Sequence, residues 1–190
     1  NWNVNVTGDG LEVDPFDLPS TVYLLALNDD RRVIGSWRML PSTGPTMIRE
    51  VWPQYLESLA MPEDANVWEV SRFSVHSPVK APEENAHQVQ RAIGEMFCGL
   101  TELCMACGIT DIFTLYDERI AKVIKRINCA PYRTSAHLPI DGALCQVGAF
   151  KTDADMLKRL QQATGITESV IEGIEMPEMI KQRMTKQQRR

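Results

Sequence analysis

Nine residues, Val67-Trp68-Glu69-Val70-Ser71-Arg72-Phe73-Ser74-Val75, constrain the fold more than any other stretch. Valine, tryptophan and phenylalanine favour a pleated strand, and apolar residues fall on both sides of the alternation, as in a strand covered on both faces. Strict alternation places Val67, Glu69, Ser71, Phe73 and Val75 on one face and Trp68, Val70, Arg72 and Ser74 on the other. An acid and a base near the middle of such a strand are costly unless they are paired, hydrated or put to use. A structural ion-pair network and a functional site both meet that condition, and this stretch alone does not choose between them.

The chain has 190 residues, enough for one domain with a sizeable core. Its formal net charge of -5 argues against a general nucleic-acid binder. No apolar run reaches the length of a membrane-spanning helix, and no signal peptide is visible in the sequence, which starts at Asn1 rather than Met. Five cysteines, an odd number with three of them in one apolar helical stretch, suggest reduced thiols and a cytoplasmic location. Cys104 and Cys107 form a C-x-x-C pair, but it closes a helix before Gly108 instead of opening one, so packing is expected rather than redox or metal chemistry. His76, His87 and His137 lack ligand spacing, and no metal is expected.

Along the chain, Asn1 to Val6 reads as a short strand, and Glu12, Asp14 and Asp17 crowd a loop around Pro15 and Phe16. Thr21–Asn28 and Val33–Leu40 read as a hairpin carrying Arg38, with Gly35 marking a bulge or close approach. Met47–Leu59 has helical spacing interrupted at Pro53. Pro82–Gly108 is the longest helical pattern, with acids in its first turn and a glycine stop. A strand over Asp111–Tyr116, a helix over Asp117–Asn128, a hairpin around Asp141-Gly142 and a helix over Asp153–Ala163 follow. This order implies an α/β three-layer sandwich, a mixed central sheet with helices on both faces, in one domain over residues 1–165. Residues 166–190 read as a weakly structured tail, basic and glutamine-rich from Lys181 onward.

Asp14, Asp17, Arg38, Glu69 and Arg72 are the candidate catalytic set. Carboxylates orient an ammonium group, arginines hold carboxylates in bidentate fashion, and a partly desolvated acid accepts a proton. Trp2 and Phe16 flank the acidic loop and would cover an apolar or sulfonium-bearing ligand.

Trp2, then Asp14-Pro-Phe-Asp17, then Arg38-Met-Leu-Pro41-Ser-Thr-Gly-Pro45, then Trp68-Glu69-Val-Ser71-Arg72-Phe73 resembles the LuxI-type acyl-homoserine lactone synthases in motif, order and spacing. Met39 and Ser42 stand where leucine and threonine are usual. The resemblance runs from Trp2 to about Phe150 and implies a GNAT-like fold. It implies S-adenosylmethionine as a substrate, with no cofactor, and an acyl thioester on acyl carrier protein or CoA as donor. An N-acyl homoserine lactone and 5′-methylthioadenosine are the implied products. It also implies substrate contacts for Trp2, Phe16, Ser71 and Phe73. Thr114 lies near a position where threonine accompanies 3-oxo acyl preference, although an ordinary strand threonine is the simpler reading. The family's N-terminal lid helix, with its arginine and phenylalanine, is expected to lie outside this sequence.

Arg119, Lys122, Lys125 and Arg126 share one side of a helix and are the candidate dock for an acidic carrier protein. The competing readings are another GNAT-like N-acyltransferase using acyl-CoA and a different amine, and a non-enzymatic domain that keeps the fold. Arg91-Ala-Ile-Gly94-Glu-Met96 faintly resembles a pyrophosphate turn but sits inside the long helix, away from exposed amides.

Overall fold

A computed structural model describes residues 6–76 and 82–172. Among the described residues seven strands form one sheet: β1 (Val22–Leu27), β2 (Val33–Pro41), β3 (Val67–Val75), β4 (Asp111–Asp117), β5 (Arg133–Thr134), β6 (Leu138–Ile140) and β7 (Ala143–Lys151). They lie in the order β1-β2-β3-β4-β7-β5, with β6 also paired to β7. β5 has no counterpart in the sequence reading, because two residues carry no measurable alternation.

Helix α1 (Met47–Glu50) and a 3₁₀ turn (Pro53–Glu57) cover one face of the sheet. Ile48, Tyr55 and Leu59 pack there against Val67, Phe113, Cys145, Val147 and Ala149. Helices α2 (Pro82–Cys107), α3 (Glu118–Arg126) and α4 (Ala154–Thr164) cover the other face. Ile93, Phe97, Leu100, Ile124 and Leu160 meet Trp37, Trp68, Val70 and Phe150 in that larger core. The expected three-layer α/β arrangement is therefore present. Local chemistry sets the helix ends. Asp117 and Asp153 accept from the first amides of α3 and α4. Gly108 and Gly165, both at positive φ, stop α2 and α4 where a side chain would be strained.

Two departures from regular pairing position the site. The first is a separation: β3 and β4 are parallel, joined through α2, and pair only at Val67–Asp111, Trp68–Ile112 and Glu69–Phe113. Beyond Glu69 each strand keeps to its outer neighbour, β2 or β7, and the sheet opens. The second is a bulge. Ser36 faces Ser74 and Arg38 faces Ser71, so Arg72 and Phe73 together oppose Trp37. Arg72 absorbs the extra residue at φ 54.

Strict alternation consequently fails after Ser71, which corrects the expected faces. Phe73 turns to the α2 side, with its ring centroid 4.7 Å from that of Trp37 and 5.7 Å from that of Phe97. Arg72 turns toward Asp14, which Arg38 also contacts while donating its Nε hydrogen to Ser71.

Past α4 the chain has no regular secondary structure up to residue 172 but stays against α2. Ser169 Oγ and the Val170 N–H donate to Glu102, at 2.9 and 3.2 Å. Ile166 and Thr164 fill the space above Gly94, where an added Cβ would lie 2.9 Å from Ile166 Cδ1 and 3.0 Å from Thr164 Cβ. Gly94→Leu is therefore expected to lower the melting temperature. Overpacking costs about 1–3 kcal/mol and outweighs the gain of about 1 kcal/mol in helix propensity. A variant that melts at or above the wild-type temperature would show that this segment does not seal α2.

Candidate functional site

The acidic loop, which in isolation would be a solvated turn, is tied into a rigid cup. Asp14 accepts from the Phe16 N–H at 2.8 Å, and Asp17 accepts from the Asp14 N–H at 2.9 Å. Thr21 Oγ donates to the Phe16 carbonyl at 2.6 Å and closes the turn onto β1. The Tyr23 hydroxyl donates to Asp17 from the second residue of that strand.

Arg38, wholly buried on β2, enters this cup. Its Nη1 donates to both Asp14 oxygens at 2.7 and 2.8 Å and lies 3.4 Å from Asp17. Its Nε donates to Ser71 Oγ at 3.1 Å, and Nη2 contacts Met47 Sδ. The guanidinium stands 5.7 Å from the Phe16 ring centroid, within cation–π range. Arg72 reaches the same cup from the bulge, with Nη2 2.9 Å from Asp14 and 2.9 Å from Glu12. Burial pushes the Asp14 carboxyl up, but the Arg38 hydrogen bond, the Phe16 amide and the charges of Arg38 and Arg72 outweigh it and hold it below the usual carboxylate range. Asp17 is held low in the same way: burial is outweighed by the Tyr23 hydroxyl, the Asp14 amide and the two arginines.

Glu69 stands apart from this network. It is 1 % exposed and makes no ion pair among the described residues. Its Oε2 accepts from the Ile48 N–H at the start of α1, at 2.9 Å. Burial pushes its carboxyl up to about 7, against the opposing influence of the Ile48 amide, the Arg38 charge, the Met47 amide and the Thr46 hydroxyl. The structure thus separates two kinds of acid. Asp14 and Asp17 are stabilised as anions, and Glu69 is poised to gain or lose a proton near neutrality.

On the α2 side of the opening lies a cavity of about 70 Å³. Phe73, Phe97, Leu100, Thr114, Ile124 and Met156 line it, with Ser71 and Arg72 at the strand break. Phe73 and Thr114 thus belong to this apolar space, whereas Ser71 and Phe16 contact Arg38. Trp2 lies outside the described residues. Arg119, Lys122, Lys125 and Arg126 are exposed on α3, although Arg119 is already paired with Asp117 at 2.7 Å. No group of three or more His, Cys, Asp or Glu side chains among the described residues is placed to hold a metal.

Sequence reasoning missed several participants. Glu12 has the same loop context as Asp14, and only its contact with Arg72 separates it from a solvated acid. Tyr23 carried no signal beyond strand propensity. Ile48 acts through a backbone amide, which any residue supplies. Trp37 also lines the cavity, and its Nε1 is the only buried side-chain nitrogen or oxygen without a partner among the described residues.

The family model for autoinducer synthase matches residues 1–163. The chain belongs to the autoinducer synthase family. A probable acyl-homoserine-lactone synthase of Sinorhizobium fredii is 33% identical over 162 residues, covering 85% of this chain and 77% of the relative. An acyl-homoserine-lactone synthase of Agrobacterium fabrum is 32% identical over 152 residues, covering 80% of this chain and 71% of the relative. Among solved structures, the acyl-homoserine lactone synthase LasI superposes with TM-score 0.64 at 25% identity, covering 91% of this chain and 82% of that one. The CoA-dependent synthase BjaI, with S-adenosylmethionine and isopentyl-CoA, has the same fold at TM-score 0.74 and 24% identity, covering 93% of this chain and 80% of that one. The three-layer α/β fold observed is the one these solved synthases share.

The unequal burial of the two arginines makes a contrast that can be measured. Asp14→Asn leaves the fully buried Arg38 without its main counter-charge and is expected to cost about 3–5 kcal/mol. Glu12→Gln affects only the more exposed Arg72 pair, and a loss of about 0–1 kcal/mol is expected. Denaturant titration checks both; equal losses would mean that Arg38 does not depend on Asp14.

Proposed function

We propose that this autoinducer synthase acylates the amine of S-adenosylmethionine with an acyl thioester and then closes the lactone. The observation that carries the assignment is Glu69: a buried carboxyl poised near neutrality, at the last paired residue before β3 and β4 separate, with an apolar cavity of about 70 Å³ beside it.

Each group then has a chemical task. Glu69 takes a proton from the substrate ammonium, directly or through a water. The freed nitrogen attacks the thioester carbon, the sulfur of the carrier leaves with the bonding electrons, and the proton that the nitrogen sheds on becoming an amide ends on that thiolate. Asp14 and Asp17 attract the ammonium group, and Arg72, the more accessible arginine, holds the substrate carboxylate. That carboxylate next attacks the γ-carbon, and the carbon–sulfur electron pair goes to the sulfonium, releasing neutral 5′-methylthioadenosine. The second step needs proximity and orientation more than acid–base help. Phe16, already beneath Arg38, and Trp2 supply the aromatic wall. The acyl chain enters the cavity between Phe73 and Thr114.

S-adenosylmethionine is consumed as a substrate, and the scheme requires no resident cofactor. The acyl donor is assigned as acyl carrier protein, with acyl-CoA as the alternative, because the exposed cations of α3 complement an acidic carrier. A cytoplasmic location is the reading that these substrates and the free thiols support; no helix among the described residues is long and apolar enough to cross a membrane.

Glu69→Gln tests the assignment. The carboxamide oxygen can still accept from the Ile48 N–H, so the fold is expected to persist. Acylation is expected to fall about 10²–10⁴-fold, with partial recovery at higher pH, where more of the amine is free. Wild-type acylation is expected to rise with pH through about 7 as Glu69 loses its proton. The stability effect has the opposite sense. Between the usual value of 4.5 and about 7, the folded state holds a proton that the unfolded chain has lost, so this contribution declines as pH rises, and Glu69→Gln removes the decline. A folded Glu69→Gln enzyme with near wild-type acylation at neutral pH would end the general-base assignment. Charge reversal at Lys122 and Lys125 is expected to raise the KM for acyl carrier protein and leave S-adenosylmethionine binding unchanged; an unchanged carrier KM would place the dock elsewhere.

A further inference from the structure

Gly148 lies in the middle of β7, opposite Thr114 of β4 and Thr134 of β5. Glycine weakens a strand through backbone entropy and the lack of a side chain to pack. Nothing in the backbone asks for it here: the described glycines at positive φ are Gly10, Gly108, Gly142 and Gly165. The space above Gly148 gives the reason. An added Cβ would lie 2.7 Å from Phe150 Cε2, 2.9 Å from Tyr116 Cε1 and 3.0 Å from the Tyr116 hydroxyl. The two rings meet across the glycine, with centroids 6.2 Å apart. Phe150 is two residues along the same strand, and Tyr116 pairs opposite Gln146, so all three residues share the face toward α2 and α3. Gln146 Nε2 donates to the Tyr116 hydroxyl at 3.0 Å and holds that ring down.

Both rings line the cavity assigned above to the acyl chain, whereas Gly148 itself does not. Behind the rings is the β7 backbone, which cannot yield; in front of them is the cavity. We propose that Gly148 determines the length of acyl chain accepted, by allowing Tyr116 and Phe150 to rest against β7. The proposal rests on the acyl-transfer reading of the preceding subsection. A Cβ at this position lifts the rings into the cavity and removes room for the chain. One methylene more or less in such an apolar pocket changes kcat/KM by about 10- to 200-fold.

The test compares full-length wild type, Gly148→Ala, Gly148→Ala/Phe150→Leu and Phe150→Leu. Each receives S-adenosylmethionine and straight-chain acyl thioesters from butyryl to dodecanoyl, on CoA and on acyl carrier protein, with lactone and methylthioadenosine as readouts. Gly148→Ala is expected to lower the ratio of long-chain to short-chain kcat/KM by about 10- to 100-fold, and Phe150→Leu in the same chain to restore it. An unchanged ratio in folded Gly148→Ala would overturn the proposal while leaving the acyl-transfer reading intact. If Gly148→Ala does not fold, Phe150→Leu alone decides: a shift toward longer chains supports the proposal, and an unchanged profile overturns it. Wild type yielding neither product from any donor would overturn the acyl-transfer reading and this proposal with it.

Discussion

Glu69 and Arg38 are both withdrawn from water, on neighbouring strands, yet they do not pair with each other. Arg38 gives its hydrogen bonds to Asp14 and Ser71, and Glu69 receives the Ile48 amide. A direct pair would neutralise both charges and leave the glutamate firmly ionised, with little tendency to take up a proton. Because the arginine is satisfied elsewhere, burial dominates at Glu69 and its carboxyl moves toward neutrality. The division of partners therefore produces two chemical environments in one site, anionic at the acidic cup and proton-exchanging at Glu69.

Strand geometry maintains that division. The bulge at Arg72 and Phe73 sends the cation to the cup and the ring to the cavity, though the two residues are adjacent. Regular alternation would also separate them, but with each on the wrong side. The early parting of β3 and β4 then opens the sheet beside Glu69, and this opening is where the proposed reaction has the amine meet the thioester. An αL conformation at a non-glycine residue costs of order 1–3 kcal/mol, and the Arg72 contacts with Asp14 and Glu12 offset it.

Much of this was legible in the sequence because it rests on residue type and local period. The long helical pattern from Pro82 to Gly108, the helices opening near Asp117 and Asp153, and the cluster of Asp14, Asp17, Arg38 and Arg72 all have side-chain signatures. What stayed hidden depends on groups that leave no such signature. The bulge exists only in the pairing of β3 with β2, so the β3 sequence read alone misplaces Phe73. The donor to Glu69 is a backbone amide. Tyr23 joins the cup only because the 14–17 turn folds back over β1. The reason for Gly148 appears only when two rings from different strands meet above it.

Among the described residues Glu69 is buried without a counter-ion of its own, and for that reason it exchanges a proton near neutrality. A carbon-13 NMR titration of glutamate carboxyls in the ligand-free enzyme, with the resonance assigned by its absence from a Glu69-substituted protein, measures this directly. The Glu69 carboxyl is expected to titrate at about 7. Titration at or below the usual 4.5 would contradict it, and would mean that Arg38 or the α1 amides hold Glu69 as a permanent anion.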